Sequence, residues 1–111
     1  VDVELVTAAR LRFIYCQDEP DIVGFDPDRW VARQRHNERE PAEWVELFRP
    51  LRECNLCLWN QLTPADLKRA GRHRERGLES LETMLRMEAG HDLCHIDQIN
   101  RYVQVILLKS Q

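Results

Sequence analysis

ESLETMLRMEAGHDLCHIDQINRYVQVILL, residues 79–108, contains no proline and a single glycine, Gly90. Leu81, Leu85, Glu88, His91 or Asp92, His95, Ile99, Tyr102 and Ile106 recur at steps of three and four, the period of one helix face. The spacing predicts one helix over 79–108, about 45 Å long if unbroken. His91 and His95 continue its apolar stripe and are expected to point inward. Imidazoles at i and i+4 lie one above the other, close enough to share an ion through their ring nitrogens. Glu88 sits one turn earlier on the same face, so Glu88, His91 and His95 form a candidate ligand set. Asp92 is the candidate carboxylate for the other N–H of a ligating ring. The pair alone leaves two readings open, metal ligands or two hydrogen-bonded interior histidines.

Upstream, Val3, Val6, Ala9 or Arg10 and Phe13 mark a helix over 2–17, closed by the Pro- and Gly-containing DEPDIVGFDPDRW. Asp26-Pro27, a cap followed by proline at the first helical position, opens a short helix over 27–36. A third long helix starts near Pro41. Trp44, Leu47, Phe48, Leu51, Cys54, Leu58 and Leu62 form its stripe, and Pro50 predicts a kink near Leu47 rather than a break. Thr63-Pro64-Ala65-Asp66 opens another short helix, and the segment around Gly71 and Gly77 reads as loop. No strand pattern of any length is apparent. The expected fold class is therefore all-α, three long helices and two short ones in one bundled domain. Three strongly apolar helices leave a groove for a fourth, supplied upstream of Val1 or by a second chain.

Composition narrows function by exclusion. With 111 residues, 43% hydrophobic and 32% charged, the chain has the balance of a globular domain. No run approaches the roughly 18 to 20 apolar residues of a membrane span, so no membrane partner is expected. A formal charge of -3 argues against a nucleic-acid partner, and the one basic cluster, KRAGRHRERG, is broken by Gly71, Glu75 and Gly77. Four cysteines without a leader-like segment point to a reducing cytoplasm. Cys54-x-x-Cys57 falls within a helix and reads as buried thiols. Trp30, Trp44, Trp59 and Tyr102 read as core fillers, and His36 as exposed. Tyr102, two turns after His95, is also placed to reach the histidines as an acid or hydrogen bonder. Either Arg10 or Arg12 is expected to face the pocket, with Asp92 or Glu88 as its carboxylate partner.

DVELVTAARLR, AEWVELFRPLRECNLCL and above all GRHRERGLESLETMLRMEAGHDLCHIDQI resemble the DinB-like family of metal-binding four-helix bundles, over nearly the whole chain. The most specific part is the Gly-containing loop, the helix after it and His-Asp-x-x-His-x-x-Gln-Ile. By that match His91 and His95 are two metal ligands. The family's third histidine comes from the preceding helix, shortly before an acidic residue that matches Glu4. Its place falls just before Val1, so the resemblance implies an N-terminal helix outside this sequence. The family pattern also has a histidine at His73, which could line the pocket mouth or cap a helix end.

What the resemblance implies about function is a divalent metal, Zn or Ni, and a small-molecule or thiol substrate. Related proteins include S-transferases that use low-molecular-weight thiols such as bacillithiol or mycothiol, and metal-dependent hydrolases. A chain without its first helix would expose apolar surface and form a homodimer. The alternative is a non-catalytic, stress-related or interaction protein with an incomplete metal site.

Overall fold

The computed structural model describes residues 1–110. It is mostly helical, in the order α1 (Asp2–Cys16), β1 (Asp21–Ile22), α2 (Pro27–Arg33), α3 (Pro41–Trp59), β2 (Ala70–His73), β3 (Gly77–Ser80) and α4 (Leu81–Lys109). Single 3-10 turns cover His36–Glu38 and Asp66–Lys68. The chain divides into two units, Val1–Leu81 and the remainder of α4 from Glu82 onward.

In the first unit α1 packs against α3 and β2. The buried face of α1 is Glu4, Thr7, Leu11 and Ile14, not the stripe running from Val3 to Phe13; Phe13 is exposed. Hydropathy alone cannot select a face centred on a carboxylate. Glu4 is admitted to the interior because α3 supplies its partners: Arg52 forms an ion pair with it, and Asn55 Nδ2 donates to its Oε2 at 2.8 Å and to its backbone carbonyl at 3.1 Å. Asn55, a polar residue, is accordingly the buried residue of α3. Cys54 and Cys57 are exposed rather than buried, because the inward face is that of Asn55. Trp30 is also exposed, while Trp44 and Trp59 are half-buried.

Helix ends follow local chemistry. Asp26 caps α2 by accepting from the Arg29 N–H at 3.0 Å, with Pro27 at the first position, as the sequence indicates. The helix ends at Arg33 rather than near His36, since Arg35 turns left-handed at φ 56°. His36, expected at the surface, is half-buried with Nε2 2.7 Å from Asp2 Oδ2 and its ring edge-on to Trp44. The third helix stays continuous through Pro50 and closes at Trp59. At the end of α1, Arg69 donates from Nε to the Ile14 carbonyl at 3.0 Å and from Nη2 to the Gln17 carbonyl at 2.7 Å. A cation thus meets the orphaned carbonyls of a helix with no basic residue in its own last turn.

The segment around Gly71 and Gly77, expected as loop, is an antiparallel hairpin with β1 added in parallel along β2. Arg74, Glu75 and Arg76 connect Ala70–His73 to Gly77–Ser80, and Gly77, the first residue of β3, enters the strand at a left-handed φ of 78° that glycine adopts without steric cost. His73 locks the turn: its buried Nδ1 accepts from the backbone N–H of Glu75 at 3.2 Å and of Arg76 at 3.3 Å. Its hydropathy pattern is inverted. Glu79 on β3 is 4% exposed while the adjacent Leu78 is 57% exposed, because Arg76 reaches back to both Glu79 oxygens, at 2.6 and 3.2 Å.

The second unit is a continuous helix through Gly90. From Leu93 to Ser110 every residue is exposed, Ile96, Ile99, Ile106 and Leu108 among them. His91 and His95 are exposed too, so their inward placement is corrected. Periodicity selects a face of a helix, and burial requires another surface packed on it. No helix among the described residues is long and apolar enough to cross a membrane.

Candidate functional site

Four side chains on α4 form a continuous polar track. His91 and His95, one turn apart, bring their Nε2 atoms to 3.0 Å, with ring centroids 4.4 Å apart in an edge-on arrangement. The other nitrogen of His95, Nδ1, lies 3.0 Å from Gln98 Oε1. Gln98 Nε2 in turn donates to the Tyr102 hydroxyl at 3.3 Å. The steps of four, three and four residues place all four on one side of the helix.

These contacts determine tautomers. An amide oxygen only accepts, so the His95 proton sits on Nδ1 and its Nε2 carries a lone pair directed at His91. His91 then donates through Nε2–H. With that proton on Nδ1 instead, both Nε2 atoms carry lone pairs 3.0 Å apart, a spacing that suits a His–His metal pair. Asp92 Oδ1 is 3.9 Å from His91 Nδ1, near enough to attract a proton there and too far for a hydrogen bond. Two imidazoles so arranged suit Zn or Ni, so the donor set fits half of a metal site. Among the described residues no group of three or more His, Cys, Asp or Glu is gathered around a common point.

The other sequence-selected residues divide by unit. Tyr102 reaches His95 through Gln98 and is 60% exposed, not core. Glu88, half-buried, lies one turn before His91 on the same helix. Glu4 and His73 belong to the first unit, where Glu4 is committed to Arg52 and Asn55 and His73 to the hairpin turn. Arg10 donates from Nη2 to the Val23 carbonyl at 2.7 Å. Arg12 donates to the Ala8 carbonyl at 2.8 Å, to Asn55 Oδ1 at 3.1 Å and to Cys54 Sγ at 3.2 Å. Carbonyl, amide and thiol groups therefore stand where a carboxylate partner was expected for these two arginines. Gln98 stands in the His-Asp-x-x-His-x-x-Gln-Ile motif but was given no role from sequence. Its signal was its spacing, three residues after His95 and four before Tyr102.

In comparison with known proteins, no family model matches this chain and no curated protein matches it.

Proposed function

We propose that this chain is a DinB-like helical-bundle protein that binds a divalent metal, Zn or Ni, through His91 and His95. The observation that supports this most directly is the convergence of the two Nε2 atoms at 3.0 Å, with Gln98 holding His95 in the Nδ1–H tautomer. The resemblance draws the third ligand from a histidine preceding Val1. Asp92 is the candidate partner for the His91 Nδ1–H, and Tyr102 orients Gln98. A metal held this way supplies an acidified water or thiol, a nucleophile near neutral pH. The enzymatic reading is S-transfer from a small thiol or hydrolysis of a small molecule. The second reading is a non-catalytic stress-related or interaction protein. The exposed apolar residues of α4 favour a homodimer in either case.

Competitive titration of Zn and Ni into the wild-type chain, His91→Ala and His95→Ala tests the ligand assignment. Each substitution is expected to weaken binding by more than about 100-fold, as loss of a direct ligand should exceed the roughly 10- to 100-fold cost of losing its supporting partner. Equal affinity in all three chains would refute it. Metal binding without turnover of any thiol or ester probe would favour the non-catalytic reading.

A further inference from the structure

The first unit contains an open cleft of about 960 Å³ between the hairpin turn, the end of β1 and Arg10 of α1. Its size lies within the usual range for small-molecule sites. Apolar surface comes from Val23 and Phe25, with the Arg10 guanidinium carbon 5.9 Å from the Phe25 ring centroid.

Two polar groups of this cleft that are drawn out of bulk water have donors without an acceptor among the described residues. The first is Arg10, a half-buried cation whose only hydrogen bond among the described residues runs to the Val23 carbonyl. Arg52, Arg69, Arg72 and Arg76 each have a carboxylate within ion-pair distance; Arg10 has none among the described residues. Burial and repulsion from Arg76 make its proton easier to lose than usual, against a smaller opposing attraction from Glu79, which is itself hydrogen-bonded to Arg76. The second is His73, 3% exposed. Because its Nδ1 accepts two backbone N–H groups, the neutral ring carries its proton on Nε2, and that N–H has no acceptor among the described residues. Gly24 keeps the approach open: a Cβ there would stand 3.6 Å from His73 Nε2, in contact with the donor.

We propose that this cleft binds a small organic carboxylate, held by the Arg10 guanidinium and the His73 Nε2–H with its apolar body against Val23 and Phe25. A carboxylate matches a guanidinium edge and accepts from both donors at once. Asp21, Asp26 and Glu75 line the cleft beside Arg72, Arg74 and Arg76, so its wall is mixed in charge, and inorganic phosphate is the competitor the test must include. The inference uses none of the α4 residues of the histidine pair and stands independently of the metal reading.

Benzoate is the probe, titrated into the full chain while the His73 ring nitrogens are followed by NMR. Saturable binding that shifts His73 Nε2 is expected, with benzamide, the neutral analogue, at least about tenfold weaker. Gly24→Leu fills the approach to Nε2 without opposing the backbone, and Arg10→Gln removes the charge; each should weaken benzoate by about tenfold or more. Benzamide binding as well as benzoate, inorganic phosphate binding more tightly, undiminished affinity in folded Gly24→Leu, or no saturable benzoate binding would each overturn the proposal.

Discussion

Gln98 shows how one neutral side chain determines what two titratable ones can do. Its Oε1 takes the His95 Nδ1–H and Tyr102 anchors its other end, so the lone pair on His95 Nε2 is a consequence of an amide on the far side of the ring. Gln98→Leu should release that tautomer, seen as a redistribution of the His95 proton between its two nitrogens by 15N NMR. It should also weaken Zn binding by about 10- to 100-fold, the usual cost of losing the group behind a ligating histidine. An unchanged His95 tautomer would remove Gln98 from the site. At Gly71 the constraint is space. A Cβ there would lie 2.7 Å from both Ile22 Cδ1 and Cγ1 and 3.0 Å from Ile14 Cγ1. Gly71→Ala is expected to destabilise the first unit by about 1–3 kcal/mol through overpacking, measurable as a lower urea midpoint at constant slope.

Among the elements, the 3-10 turn Asp66–Lys68 and the hairpin are organised by side-chain-to-backbone bonds. Asp66 Oδ2 accepts from the Thr63 hydroxyl at 2.7 Å and from the Thr63 N–H at 2.9 Å, and the Thr63 hydroxyl accepts from the Asp66 N–H at 3.2 Å. The Thr63 hydroxyl bond, followed by its backbone N–H, holds the Asp66 carboxyl below its ordinary range. A carboxyl whose folded pKa is depressed contributes stability above its unfolded pKa and loses it as pH falls through the folded value. Hydrogen exchange at the Thr63 amide should therefore lose protection on acidification through that window, and Asp66→Asn should abolish the dependence.

The cap at Asp26-Pro27 was legible because it rests on local backbone chemistry; the helix expected to open at Thr63-Pro64 is a single 3-10 turn beginning at Asp66. The hairpin was not legible. Its inward positions, Gly71, His73 and Glu79, carry no hydropathy signal, and Glu79 is buried only because Arg76 folds back onto it. The inward face of α1 was hidden for the same reason, since the partners that make Glu4 acceptable inside lie about fifty residues away on α3.

For the molecule as a whole, the exposed apolar run from Leu93 to Leu108 is larger than isolated surface hydrophobes account for. Concentration-dependent dimerisation by sedimentation velocity is the expected outcome. The double substitution Ile99→Lys and Ile106→Lys, on the apolar stripe of α4, should shift the equilibrium to monomer; a wild-type chain monomeric at all concentrations would contradict it. The sequence by itself determined the helices, because helical period and caps are properties of a few neighbouring residues. It also determined that His91 and His95 share a face, since four residues make about one turn. Tertiary structure alone decided which faces are buried, that a sheet joins β1 to a distant hairpin, and that Arg10 and His73 meet in one cleft. Each of these depends on segments far apart in the chain being brought together, and no local pattern encodes them.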